Sequence, residues 1–281
     1  MKTKLFFLAA TLAVFLGCDP GTGPGDDQGP IDVTISNGVT GTLTFTGQWP
    51  ATPVELRLIT STVFPPVMSE VVFRDSIPFD SSTYNYQLQL EPGTYKLVGL
   101  AWRTEGTEWN FPSICGFYFT GTTPEDSLAP ATITIENDTT VIKRVNMKID
   151  RSRVRIVSAA KITGSVTFNG VWPDSFAEAR VIATTRMDLQ TLDLPTLNDL
   201  AIDNDRIAVG STAYNYEIPA FPGNFLATFV IFFKKDGKLT VKDVLWTNDR
   251  GGLDMAPAGE SSYTVGFDQT VKGPDFTITF Y

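Results

Sequence analysis

Thr40-Gly41-Thr42-Leu43-Thr44-Phe45-Thr46-Gly47-Gln48-Trp49-Pro50 returns later in the chain as Thr163-Gly164-Ser165-Val166-Thr167-Phe168-Asn169-Gly170-Val171-Trp172-Pro173. Seven of the eleven positions are identical, Thr42/Ser165 and Leu43/Val166 are conservative, and the offset is 123 residues. A second echo pairs Tyr84-Asn85-Tyr86 and Pro92-Gly93 with Tyr214-Asn215-Tyr216 and Pro222-Gly223, now offset by 130. One unit is therefore used twice, with about seven residues inserted between Pro173 and Tyr214. Inside the first copy Thr alternates with Leu43 and Phe45, the period-2 pattern of a half-buried strand. The Trp-Pro that follows in both copies predicts a core plug at the strand exit.

The rest of each unit reads as further short strands. Val54, Leu56 and Leu58 alternate with Glu55 and Arg57, and the second copy repeats this with Ala179, Val181 and Ala183. Tyr84 to Arg103 reads as a hairpin turning at Glu91-Pro92-Gly93-Thr94, because Pro presets φ and Gly accepts a positive one. Phe225 to Phe233 is apolar on both faces apart from Thr228, which predicts a buried central strand or one whose second face meets another domain. Closing strands are expected at Thr132–Ile135 and Val141–Ile149, then at Tyr263–Phe267 and Phe276–Tyr281. Thr60 to Ser82 reads as a long loop or edge, and Met187 to Leu200 as loop with one short helix broken at Pro195. About seven strands per copy, with turns at sandwich spacing, predict an all-β chain of two tandem Ig-like or transthyretin-like β-sandwich domains, residues 31–150 and 151–281.

Ahead of them stands a targeting segment, residues 1–17. Lys2 and Lys4 precede an apolar run from Leu5 to Leu16, too short to span a bilayer, which takes about 20 apolar residues. Phe15-Leu16-Gly17-Cys18 resembles the bacterial lipobox, with Phe15 where an aliphatic residue is usual. The resemblance implies cleavage before Cys18 and lipidation of its thiol; the alternative is an ordinary secretory signal. Residues 18–30 follow as a tether, Asp19 to Pro30 carrying no apolar side chain and too much Gly and Pro for helix or sheet. A tether behind a lipidated cysteine is what a membrane-anchored domain needs to stand clear of the headgroups. With Cys18 lipidated, Cys115 is left without a disulfide partner and reads as a small buried hydrophobe.

The opening Gly41-x-x-x-Phe45-x-Gly47, the strand after it, and Leu90-Glu91-Pro92-Gly93-Thr94-Tyr95 together resemble the transthyretin-like or carboxypeptidase-regulatory-like repeats of bacterial exported lipoproteins. Phe221-Pro222-Gly223-Asn224-Phe225 is a poorer copy of the last motif. The bulky Trp-Pro and the long middle segments depart from that pattern. What the resemblance implies is a non-catalytic module for spacing, adhesion or ligand contact, with no transferable site.

Composition narrows the function further. Hydrophobic residues make up 42% and charged residues 19% of the 281, enough for two cores of their own. The chain has no His, which excludes Ser-His-Asp and Cys-His catalysis and His-ligated metals. Its net charge of −9 without a basic run argues against nucleic acid. No nucleophile–base pair stands out and no cofactor is called for. Asp199/Asp203/Asp205 and Asn248/Asp249/Asp254 are rich in carboxylates but lack the spacing of a calcium loop, and the second group reads more simply as a turn. Trp109-Asn110-Phe111-Pro112 faces Leu239 to Lys242 in the second copy, so the repeated framework does not demand its aromatics. Trp109 and Phe111 are therefore the candidate ligand contacts, with edge cover as the plain alternative. These features favour a non-enzymatic, lipid-anchored protein of the cell envelope, binding a protein or neutral glycan partner or spacing one. The alternative is an accessory hydrolase or inhibitor using carboxylates in the loops.

Overall fold

The two copies of the repeated stretch form equivalent strands with equivalent ladder partners. A computed structural model describes residues 34–120, 130–185, 199–235 and 262–280. Repeat 1 contains β1 (Gly38–Thr46), β2 (Glu55–Ser61), β3 (Val72–Ser76), β4 (Thr83–Gln89), β5 (Gly93–Tyr95), β6 (Leu97–Arg103), β7 (Ile114–Phe117), β8 (Ile133–Ile135), β9 (Val141–Ile142) and β10 (Met147–Asp150). Repeat 2 contains β11 (Lys161–Asn169), β12 (Phe176–Thr184), β13 (Leu200–Ile202), β14 (Ile207–Ala208), β15 (Ala213–Pro219), β16 (Gly223–Phe225), β17 (Ala227–Lys234), β18 (Tyr263–Val265), β19 (Thr270–Lys272) and β20 (Phe276–Thr279). Each repeat is an all-β sandwich. In the first, β1 lies between antiparallel β4 and parallel β9 and β10, opposite a sheet ordered β3-β2-β6-β7. In the second, β11 lies between β15 and parallel β19 and β20, and β12 pairs with β13, β14 and β17.

The repeated residues have a shared physical cause. Gly41 faces Tyr86 across the β1–β4 ladder and Gly164 faces Tyr216 across β11–β15. Each tyrosine lies over its glycine and donates to a backbone carbonyl between the two closing strands, Tyr86 Oη to Val145 O at 2.5 Å and Tyr216 Oη to Pro274 O at 2.6 Å. A Cβ at Gly41 would stand 2.1 Å from Val145 O, and one at Gly164 would stand 2.3 Å from Tyr216 Oη. The backbone N–H after each glycine is used alike. Thr42 N donates to Asn146 Oδ1 and Ser165 N to Asp275 Oδ1, both at 2.9 Å.

These contacts explain one departure from expectation. Val141–Ile149 is not one strand, because Arg144 takes φ 63° and Asn146 replaces a ladder bond with its side chain. A second departure concerns Tyr84 to Arg103, which is not a hairpin. β4 belongs to the β1 sheet and β6 to the β2 sheet, so Pro92-Gly93 carries the chain from one layer to the other while β5 pairs with β8. Val54 is 50% exposed, so the inward alternation starts only at Leu56. Thr60 to Ser82 holds an edge strand, β3. Of Met187–Leu200, where a short helix is expected, residues 187–198 lie outside the described residues and Leu200 opens β13.

Both Trp residues close their sandwich and donate Nε1 to a carbonyl at 2.9 Å, Trp49 to Phe79 O and Trp172 to Ser211 O. Trp172 is buried among Phe168, Phe232 and Phe280, whereas Trp49 is partly exposed, stacked on Trp102 at 5.1 Å. Where Phe280 covers the Phe168–Trp172 pair, repeat 1 uses the Arg151 guanidinium, 4.6 Å from the Phe45 centroid.

Candidate functional site

Trp109 and Phe111 sit on the segment joining β6 to β7, and the structure gives them different surroundings. Phe111 opens a single 3-10 turn, Phe111–Ser113, closed by Ser113 N to Asn110 O at 2.9 Å and Ser113 Oγ to Asn110 Oδ1 at 3.2 Å. Its ring packs in one apolar cluster with Ile182, Leu200, Ile202, Ala227, Phe229 and Ile231 of repeat 2 and is 6% exposed. Phe111 is thus a contact between the repeats, and a ligand would have to displace repeat 2 to reach it. Trp109 stays on repeat 1, where it packs 4.6 Å from Phe73 beneath the Arg103 guanidinium, 5.2 Å from its centroid. It covers the outer face of the β2–β6 pair, on which Ile59 and Ala101 are fully buried. Trp109 keeps partial exposure, so of the two it is the one a partner could touch.

Beside Trp109 the outer face turns polar. Glu55 accepts from Arg57 Nε and from Arg103 Nε, the latter at 2.8 Å. Burial pushes the Glu55 carboxyl up, but the two guanidinium groups outweigh it and hold the carboxyl below its usual range. The pattern Glu-x-Arg recurs as Glu178 and Arg180 at the 123-residue offset. There the arginine is fully buried. Arg180 Nη1 donates across the repeats to Pro65 O at 3.0 Å and Pro66 O at 3.2 Å, while Nε donates to Asp203 O at 3.0 Å. Burial lowers its pKa to about 10, which leaves it charged at neutral pH. Arg206 also bridges the repeats, with Nη2 2.5 Å from Glu70 Oε2 and Nε 3.1 Å from Glu178 Oε2, the latter in ion-pair rather than hydrogen-bond geometry. Desolvation raises the Glu178 pKa despite Arg206 and Arg180 nearby.

Of the acidic residues singled out in the sequence, Asp199 and Asp203 are spent on the fold. Asp199 is bonded by Arg155 and Thr185, and Asp203 accepts from Asp205 N at 3.1 Å and from Tyr214 Oη at 2.9 Å. Among the described residues no three acidic or cysteine side chains are grouped so as to hold a metal ion. Asn248, Asp249, Asp254 and the lipidation candidate Cys18 lie outside the described residues. Cys115 is buried, and desolvation pushes its thiol pKa far up, which makes it inert rather than nucleophilic. Sequence reading missed Arg180 and Arg206. The repeated Glu-x-Arg was the available signal for the first; nothing local marks the second.

No protein-family model and no curated protein matches the chain. Solved structures that align with it include two candidate adhesins from Bacteroides ovatus. One has 12% identity and a TM-score of 0.24, covering 88% of this chain and 93% of that one. The other has 9% identity and a TM-score of 0.23, covering 86% of each. A shaft pilin from Lactobacillus rhamnosus GG aligns at 7% identity and a TM-score of 0.16, covering 88% of this chain and 97% of that one. At those scores the alignments carry no argument about activity. The fold defines the class by itself: a tandem all-β sandwich.

Proposed function

We propose that the chain is a non-enzymatic cell-envelope protein, anchored through lipid on Cys18, that serves as a binding or spacer module toward a protein or neutral glycan partner. One observation carries this reading. The described acids with shifted pKa values are each held in a structural contact: Glu55 by two arginines, Glu178 by Arg206, Asp203 by Tyr214, and Asp275 by Lys272 and Ser165. In an enzyme such groups converge on a cleft where substrate can lie. The net charge of −9 disfavours polyanions and leaves neutral surfaces. Trp109, with Arg103 beside it, is the contact we assign to a partner on repeat 1.

The test is expression in a lipoprotein-processing bacterium. Wild type should fractionate with membranes with an acylated N-terminal cysteine, and Cys18→Ser should not be lipidated. Soluble wild type with an unmodified N-terminus would end the anchoring half of the proposal. A glycan array with wild type and Trp109→Ala, matched for stability, tests the other half. Loss of binding at equal stability supports the contact, and loss of stability alone makes Trp109 structural cover.

A further inference from the structure

The strand that reads as apolar on both faces divides its side chains between two cores. Val230 and Phe232 enter the interior of repeat 2, while Ala227, Phe229 and Ile231 point the other way, into the cluster that holds Phe111. Ile114 of repeat 1 packs against the same cluster. Repeat 1 is built differently. The outer face of its β2–β6 pair is covered from within the repeat, by Phe64, Met68, Val71 and Trp109. One sandwich therefore covers itself and then lends Phe111 and Ile114 to cover its neighbour.

Polar groups register the same junction. Arg180 of repeat 2 places Nη1 on two successive carbonyls of repeat 1, and Arg206 pairs with Glu70 of repeat 1. Separating the repeats would bring an apolar sheet face to water and strip the guanidinium of two acceptors at once. Residues Val33–Tyr281 accordingly cluster as one compact unit rather than two.

We infer that the two repeats are a single cooperative folding unit latched by Phe111 and Arg180, so that the boundary near residue 150 divides two copies of a motif but not two independent domains. The latch fixes how one repeat is presented relative to the other, whatever the partner is. The inference stands apart from the anchoring and binding proposals, and its test involves neither lipid nor ligand.

Native-state hydrogen exchange read by mass spectrometry on the whole protein distinguishes the cases. In wild type, peptides from β1 and β6 and peptides from β11 and β17 should open in one common transition as denaturant rises. Phe111→Ser lies in repeat 1 and Arg180→Gln in repeat 2. Each should lower protection in both repeats, for Phe111→Ser by about a hundredfold, the lower end for a truncated buried aromatic. Phe111→Leu keeps an apolar plug and should retain most of the protection if the serine variant proves too unstable to purify. Two separate transitions in wild type would overturn the inference. So would protection lost only in the repeat that carries the substitution.

Discussion

Placing a methyl group at Gly41 and at Gly164 probes the tyrosine contact that the two repeats share, and the two sites should respond differently. At Gly41 the new Cβ meets the backbone, 2.1 Å from Val145 O and 2.6 Å from Val145 C, with Tyr86 Cε1 at 3.0 Å. At Gly164 the three nearest atoms all belong to the Tyr216 side chain, Oη at 2.3, Cζ at 2.5 and Cε1 at 2.8 Å. Overpacking of this kind costs about 1–3 kcal/mol. Displacing the tyrosine also removes a hydrogen bond with a net value of about 0.5–1.5 kcal/mol. Gly41→Ala should therefore destabilise by about 2–4 kcal/mol, and Gly164→Ala by a similar amount or less. The decisive comparison is a double-mutant cycle in urea denaturation followed by tryptophan fluorescence. In a Tyr216→Ala background the cost of Gly164→Ala should nearly vanish, because its obstacle has gone. In a Tyr86→Ala background most of the cost of Gly41→Ala should persist, because the Val145 carbonyl remains. Gly41→Ala with a wild-type midpoint, or a Gly164→Ala cost undiminished beside Tyr216→Ala, would refute the packing argument.

Two more outcomes follow from the same contacts. Trp172→Ala should cost about 3–5 kcal/mol as a buried aromatic and Trp49→Ala clearly less, because Trp49 is already partly exposed; equal losses in urea midpoint would overturn that ranking. Glu178 carries a folded-state pKa raised above its unfolded one, so the native state holds this proton to higher pH and its contribution to stability falls as pH rises past the ordinary carboxylate range. Wild type should accordingly lose ground to Glu178→Gln between pH 4 and pH 7, and urea midpoints in which it gains ground would contradict the burial of this carboxylate.

The repeated strand was legible because its pattern is local. The Thr alternation, the glycine and the Tyr-Asn-Tyr echo each mark a position where the framework admits few side chains. Their partners between the closing strands were not legible, since Val145 and Pro274 act through backbone carbonyls that any residue supplies. Asn146 and Asp275 do the same work with different side chains. Pro92-Gly93 was read rightly as a change of direction and wrongly as a hairpin. A turn signal reports how the chain bends, and which sheet the next strand joins depends on where Leu97 to Arg103 finds its apolar partner, which is β2.

The candidate site shows the same limit from the other side. Comparing the two copies isolates Trp109 and Phe111 as aromatics the framework does not require, and aromatics of that kind invite a ligand. In a tandem protein, however, such aromatics can also serve the junction between the copies. The outer face of β17 in repeat 2 is apolar, and among the described residues Phe111 and Ile114 of repeat 1 pack against it. That cover comes from the β6–β7 connection of repeat 1, a segment in which the copies differ. Phe111 departs from the repeat pattern because it joins the repeats, and Arg180 departs from Arg57 for the same reason: the one reaches Pro65 and Pro66 across the junction, the other Glu55 and Arg74 within its own sheet. In a tandem protein the explanations for a residue without a counterpart are a partner outside the chain, the neighbouring copy, or cover for its own repeat. Burial and packing decide among them, and Phe111, at 6% exposure in the cluster of repeat 2, belongs to the second.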